Sequence, residues 1–255
     1  MKGLSLANIA SACGGTYRGS EDARNREITG VAIDSRKIEK DFLFVPIKGA
    51  RVDGHDFIEQ VMEKEALCTL SEHPLTGARY PYILVNSTEQ ALKDLAHFYR
   101  SQLDLKVIGI TGSVGKTSTK ELIASVLEQK YRVLKTEGNY NNEIGLPLTI
   151  FRLTEEDEIA VLEMGIDHFG EMHRLADIAR PNVCVITNIG YAHLENLGSR
   201  KGILQAKTEM FDHLQPEFAV VLNGDDDMLR TVTDVHGQKP VFFGIDSAAP
   251  VFASH

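Results

Sequence analysis

The sequence predicts an α/β protein: a mostly parallel, P-loop-type sheet with helices on both faces, preceded by a smaller α/β domain. Three observations lead there. From Lys106 onward, short apolar runs recur at Val107–Ile110, Ile159–Leu162, Val183–Thr187, Ala219–Leu222 and Val241–Phe243. Helix-period segments separate most of them, at Lys116–Gln129, Glu171–Ala179, Lys201–Leu214 and Asp226–Val235. The runs are near-continuously apolar, as strands buried on both faces read. Ligands in such sheets bind at the carboxyl ends of the strands, so the residues just past each run are where chemistry is expected.

The first third mixes shorter elements. Leu6, Ile9, Ala10 and Cys13 fall at helical spacing, with Ser5 as N-cap and Gly14-Gly15 as a stop. Ile28–Ile33 and Phe42–Ile47 read as strands and His55–Glu65 as a helix. The run Tyr82–Val85 is followed by a helical stretch, Glu89–Gln102, which predicts a domain boundary near residue 85: 1–84, then 85–255.

Composition narrows the function classes. The 255 residues are 43% hydrophobic and 25% charged, which excludes a disordered or collagen-like chain. A formal net charge of −9 argues against a dedicated nucleic-acid or anionic-membrane binder, yet leaves nucleotides open, since a metal ion can supply local positive charge. Cys13, Cys68 and Cys184 are odd in number, lack a Cys-x-x-Cys spacing and lie in apolar stretches, so they read as buried thiols in a reducing compartment. With no run long enough to span a membrane and no secretory leader, the chain reads as cytoplasmic.

Four strand-end features stand out. The turn Gly112-Ser113-Val114-Gly115-Lys116-Thr117, between a strand and a helix, can wrap a polyphosphate with backbone N–H groups. Lys116 would reach the β/γ-phosphates and Thr117 would ligate Mg²⁺, although the glycine spacing departs from G-x-x-x-x-G-K-[ST]. Glu163 closes the next strand, where such a protein holds its metal, and beside the phosphate-type turn that role is favoured over a solvated loop carboxylate. His193 lies in a glycine-containing loop beyond Val183–Thr187. Alone it reads as structural, and its place on the same sheet edge as Lys116 and Glu163 favours function. Lys207 falls on the apolar stripe Ile203, Leu204, Met210, Phe211 and Leu214, as either a snorkelling lysine or one turned toward the site. The Asn-rich stretch Glu137–Pro147 reads equally as a simple turn or as a loop able to hold a polar substrate or phosphates, and Asn223-Gly-Asp-Asp226 as a weaker case. No zinc or serine-hydrolase signature is present.

Thr111–Thr117, Gly138–Pro147, Glu163-Met-Gly165 and Asn188–Glu195 occur in the order of the Mur ligase motifs, and the chain resembles that family over essentially its whole length. The family's T-G-x-x-G-K-[ST] form also accounts for the displaced glycine. In the first third, Asp34-Ser-Arg36, Leu43–Gly49 and Asp53–Ile58 resemble the domain that holds the uridine end of the substrate.

The resemblance implies an ATP-dependent amide ligase joining D-Ala-D-Ala to UDP-N-acetylmuramoyl-tripeptide through an acyl phosphate. It implies nucleotide contacts at Thr111, Gly112, Ser113, Val114, Gly115, Lys116, Thr117, Ser118 and Asn142. Metal contacts are implied at Thr117, Glu163 and His193, and at Lys207 as a carbamate; Lys116, His193 and Lys207 would be catalytic. Substrate contacts are implied at Ser35, Arg36, Lys48, Gly49, Asp53, Gly54, His55, Asn139 and Asn141. A monomer without nucleic-acid or membrane partners is expected. The family carries a third, C-terminal domain that this sequence lacks, and Pro250–His255 reads as the middle of a strand, so a fragment inactive alone is expected. A sibling ligase adding an amino acid, a folylpolyglutamate synthase and a non-catalytic nucleotide-dependent binding module are the alternatives.

Overall fold

The computed structural model describes residues 1–245 and 251–252. Two compact units divide the chain, Met1–Leu103 and Asp104–His255.

The first unit carries helices α1 (Leu6–Ala12), α2 (Glu21–Arg24), α3 (Ile58–Glu63) and α4 (Thr88–Ser101). Its strands are β1 (Thr16–Arg18), β2 (Gly30–Ala32), β3 (Phe42–Phe44), β4 (Cys68–Ser71) and β5 (Tyr82–Leu84). They form one sheet in the order β1-β5-β4-β3-β2, parallel except for β1 against β5. Ser5 caps α1 by accepting from the Asn8 N–H at 3.2 Å, as its position suggested. Ala32, Phe44, Ile58 and Val61 form a core between sheet and α3.

The division falls after Leu103, not near residue 85, because α4 packs on the first unit. Its Ala91, Leu92, Leu95 and Ala96 are buried, it contacts α1, and the Ala91 carbonyl accepts from Cys13 Sγ at 3.4 Å. All three cysteines are free. Cys68 and Cys184 are buried as expected while Cys13 is half-buried, and burial pushes its thiol pKa up to about 12.

The second unit is built on β6 (Lys106–Thr111), β7 (Val133–Lys135), β8 (Ile159–Glu163), β9 (Val183–Ile186), β10 (Ala219–Asn223), β11 (Val241–Gly244) and β12 (Val251–Phe252). All pairings are parallel, in the order β12-β11-β10-β9-β6-β8-β7. Its helices are α5 (Lys116–Leu127), α6 (Gly145–Ile150), α7 (Glu171–Ala179), α8 (Leu194–Leu197) and α9 (Arg200–Thr208). Ile110, Ala124, Val161 and Val185 bury the interface of α5 with the sheet.

The register places the site. β6 lies between β8 and β9, with Ile110 opposite Glu163 and Thr111 opposite Ile186. Residues following these three strands therefore emerge side by side.

Three local expectations change. Asp226–Val235 is not a helix: only a 3₁₀ turn, Leu229–Thr231, forms. Asp226 Oδ1 caps the N–H groups of Met228 and Leu229 at 2.9 Å, and the β-branched run Thr231-Val232-Thr233 disfavours continuation. Lys201–Leu214 breaks into α9 and the 3₁₀ turn Glu209–His213, where the Thr208 hydroxyl bonds back to the Leu204 carbonyl at 2.9 Å. The Asn-rich loop closes into α6, capped by Asn142 Oδ1 on the Gly145 N–H at 2.8 Å. Of the strand expected around Pro250–His255, Val251–Phe252 forms β12; the rest lies outside the described residues. Among the described residues, no helix is long and apolar enough to cross a membrane.

Candidate functional site

The turn between β6 and α5 is held from outside by the loop that follows β9. The Asn188 carbonyl and Oδ1 accept from the N–H groups of Ser113 and Val114, each at 3.1 Å. Thr187 Oγ1 and Asn188 Nδ2 donate to the Val114 carbonyl at 2.6 and 2.9 Å. Ser113 Oγ accepts from the Gly190 N–H at 2.8 Å. Ser113 and Val114, expected to contact phosphate, thus commit their N–H groups to bracing the turn. Gly115, at φ +81°, turns the chain into α5. The first i→i−4 bond there is Thr119 N–H to the Gly115 carbonyl, so the N–H groups of Lys116, Thr117 and Ser118 precede it and face a prospective anion. Lys116 Nζ folds over the turn, donating to the Gly112 carbonyl at 3.1 Å. The Thr111 hydroxyl is fully buried without a partner among the described residues.

Beside this turn stands Glu163, a carboxylate only 2% exposed. Thr117 Oγ1 donates to its Oε2 at 2.9 Å and Asn141 Nδ2 to its Oε1 at 2.8 Å. Its own N–H donates to Thr136 Oγ1 at 3.0 Å. Among the described residues this buried carboxylate is served by neutral donors alone and lacks charge compensation, and it fits a hard divalent cation. The hydroxyl and carboxylate oxygens stand as far apart as neighbouring oxygen ligands around an octahedral ion with bonds of about 2.0–2.1 Å. Asn141, expected on the substrate side, instead orients this carboxylate. Asn142, expected near phosphate, caps α6 with its oxygen, and Asn139 lies exposed in the same loop.

His193, at φ +61°, opens α8 and pairs through Nδ1 with Asp167 Oδ1 at 3.1 Å. It does not meet Glu163 directly. The Asp167 carboxylate lies within ion-pairing distance of Nδ1, which leaves Nε2 as the ring nitrogen open to another partner. Lys207 is 2% exposed, so the snorkelling alternative is excluded. Burial, then the charge of Lys116, lowers its pKa to about 8, opposed by Asp167. Lys116, Lys207, Asp167 and His193 are thereby electrostatically linked. Among the described residues, no group of three or more His, Cys, Asp or Glu forms a ready metal cage. Any ion at Glu163 must take further ligands from water or substrate.

Sequence reasoning missed Asn188, Thr187, Asp167, Thr136 and Lys120. Lys120 is buried and donates to the Thr136 carbonyl at 2.6 Å. A Lys–Glu helix surface carries no signal of such burial.

In the first unit, the expected substrate residues lie past the carboxyl ends of β2 and β3. Asp34 caps Arg36 and holds its guanidinium at 2.7–3.2 Å, leaving Arg36 exposed. This ion pair keeps the Asp34 carboxyl well below the usual range. The Ser35 carbonyl accepts from Lys64 Nζ at 2.9 Å. Lys48 and Asp53 form a bridge that closes the Lys48–Asp53 turn, with the Gly49 N–H donating to the Val52 carbonyl at 2.9 Å. A Cβ on Gly54 would lie 2.7 Å from the Ile47 nitrogen, so only glycine fits. Asp53 Oδ1 accepts from the His55 N–H and meets Nδ1 at 2.7 Å, while His55 Nε2 accepts from the Glu72 N–H at 3.2 Å. A separate cleft of about 470 Å³, lined by Glu59, His73, Arg79 and Tyr80 among others, contains none of these residues.

Comparison with known proteins fits this geometry. The family model "Mur ligase middle domain" matches residues 110–254, and "Mur ligase family, catalytic domain" matches residues 27–100. The UDP-N-acetylmuramoyl-tripeptide--D-alanyl-D-alanine ligase of Bacillus subtilis is 44% identical over 227 residues, 88% of this chain and 50% of that protein. A crystal structure of MurF from Acinetobacter baumannii superposes with a TM-score of 0.90 at 33% identity, covering 99% of this chain and 55% of that one. The MurF ligase of Thermotoga maritima in complex with ADP gives 0.78 at 36%, covering 86% and 51%. The chain thus spans about half the length of the relatives it matches. With more than half of its residues accounted for by the middle-domain model, the chain belongs to the Mur ligase family.

Proposed function

We propose that this chain supplies the nucleotide- and substrate-binding machinery of an ATP-dependent ligase joining D-Ala-D-Ala to UDP-N-acetylmuramoyl-tripeptide. The relatives named for that reaction support it, and the single observation that carries it is Glu163, buried at the end of β8 and bonded to Thr117 of the phosphate turn.

In this reading the first turn of α5 receives the ATP phosphates on its N–H groups. Lys116 neutralises charge building on the γ-phosphoryl group as it passes to the substrate carboxylate, giving ADP and an acyl phosphate. The amine of D-Ala-D-Ala then attacks the acyl carbon, expels phosphate and loses a proton, leaving the amide. Thr117 and Glu163 would hold one Mg²⁺; Glu163, His193 and Lys207 as a carbamate would hold a second. These ions supply Lewis-acid screening of the phosphate oxygens. Asn141 keeps Glu163 turned toward Thr117, and Asp167 positions the His193 ring. Lys207, with its lowered pKa, carries more neutral amine at pH 7 than an exposed lysine does. Neutral amine is the form that takes up CO₂, releasing a proton to give the carbamate. Ser35, Arg36, Lys48, Gly49, Asp53, Gly54 and His55 would receive the uridine end, with Asn139 on the muramoyl side. The reaction belongs to a monomer in the cytoplasm, where nucleotide-linked precursors are made.

Calorimetric titration with UDP-N-acetylmuramoyl-tripeptide, UMP and Mg·ATP tests this reading. Saturable tripeptide binding competed by UMP is expected; Mg·ATP binding with no response to the tripeptide would overturn it in favour of a nucleotide-dependent binding module.

A further inference from the structure

We propose that His173 on α7 and His213, at the end of the Glu209–His213 turn, form a second metal site. It would take a divalent ion that favours imidazole nitrogen, such as Zn²⁺, Co²⁺ or Ni²⁺. The two Nε2 atoms face each other at 3.2 Å, with the rings inclined at 66°. Behind each ring stands a carboxylate: His173 Nδ1 meets Asp212 Oδ2 at 2.8 Å, and His213 Nδ1 meets Asp177 Oδ1 at 3.2 Å. The Asp212 carboxylate accepts from His173 Nδ1–H, and with Asp177 within ion-pairing distance of His213 Nδ1 two neutral rings turn two Nε2 lone pairs toward each other. That arrangement is repulsive unless a cation is shared between them. Carboxylate, imidazole and metal in line is how metal-ligating histidines are oriented. Two nitrogens about 2.0–2.1 Å from a tetrahedral ion stand about 3.3 Å apart, near the separation found here.

A shared proton is the competing occupant, and the zinc titration below distinguishes the two. Nitrogen ligands also separate this site from Glu163, whose oxygen donors suit Mg²⁺. The remaining ligands would be water, since half of His173 is open to solvent. Bound metal would clasp α7 to the turn after α9, where Glu209 already accepts from the Gly170 N–H at 2.9 Å.

The test titrates the 255-residue chain, freed of any affinity tag, with ZnCl₂ in saturating Mg²⁺. One equivalent of zinc is expected to bind and to raise the melting temperature. His173→Ala and His213→Ala should each remove most of that affinity. Asp212→Asn, which keeps both imidazoles, should weaken it about 10- to 100-fold. Zinc should also shift the His173 and His213 ring resonances of the unmodified chain, a readout independent of how the variants fold. Absence of saturable binding, retention of full affinity in the His173→Ala/His213→Ala double variant, or shifts confined to other histidines would overturn the proposal.

Discussion

At the carboxyl edge of the seven-stranded sheet charge is buried, whereas at that of the five-stranded sheet it stays in water. Glu163 and Lys207 are each 2% exposed, and neither has an opposite charge in hydrogen-bonding contact among the described residues. Arg36 and Lys48 are exposed, and Arg36 is neutralised two residues away by Asp34. Removing a charge from water without a partner costs free energy that a bound ligand can return. The first edge therefore holds buried charge that a bound ligand would stabilise. The second is shaped by backbone: capped turns at Asp34 and Asp53, and Gly54 pressed on Ile47. One edge should respond to mutation in chemistry, the other in shape.

The largest expected effect is on chemistry. In the proposed reaction of the whole ligase, Lys116→Ala should lower acyl-phosphate formation about 10²–10³-fold, the usual loss when a preorganised charge facing a transition state is removed. ADP release in the presence of UDP-N-acetylmuramoyl-tripeptide measures it. A loss below tenfold would mean that Lys116 is a brace for the Gly112 carbonyl and little else.

Lys207 gives the same edge a pH signature. Its folded pKa of about 8 lies below the 10.5 of an unperturbed lysine, so the unfolded chain binds the proton more readily between those values. The stability of the metal-free chain should therefore rise between about pH 8 and 10.5 and be lower below pH 8, where the buried ammonium is charged. Lys207→Met should flatten that window and raise stability at pH 7 together. Urea denaturation across pH reads both effects. An unchanged pH profile would show that the ammonium is solvated after all.

Shape comes next. Gly54→Ala should cost about 1–3 kcal/mol, because the new methyl meets backbone at Ile47 and Pro46 that cannot step aside. Thr136→Val should cost about 1–3 kcal/mol by stranding the buried Glu163 N–H. Only the second should also weaken Mg·ATP binding, and equal losses of nucleotide affinity in both would erase the distinction between the two edges.

How far the sequence carried this reading follows the same physics. The parallel sheet was legible because strands buried on both faces leave unbroken apolar runs, and the turn between β6 and α5 because glycines between a strand and a helix mark a tight turn. β7 was not legible, since Val133-Leu-Lys135 is too short to carry a pattern. The failed helix at Asp226–Val235 shows amphipathic spacing losing to an aspartate cap and a β-branched run. Within the site, the conspicuous residues Lys116, Glu163 and His193 could be chosen from type and position. Their orienting partners could not: Asn141 reads as one loop amide among three, Asp167 as a surface acid, and Thr136 as an ordinary threonine. Positioning is a tertiary property, fixed by which strand ends become neighbours.

The smallest effect is the sharpest probe of the five-stranded edge. Arg36→Gln removes a guanidinium that is almost wholly exposed and, among the described residues, bonded only to Asp34. Exposed pairs contribute little to folding, so the melting temperature at pH 7 should not move. Asp34, released from the charge that holds its carboxyl low, should titrate closer to the ordinary carboxylate range. Its ionised form would then be favoured less in the folded state, so whatever acid sensitivity this pair confers should shrink, never grow. If Arg36 is there for a ligand, UMP affinity should fall while stability stays constant, and calorimetry beside thermal melting separates the two. A stability loss with unchanged UMP affinity would place Arg36 in the turn's own structure, and the substrate role at this edge would then rest on Lys48 and the Asp53–His55 turn.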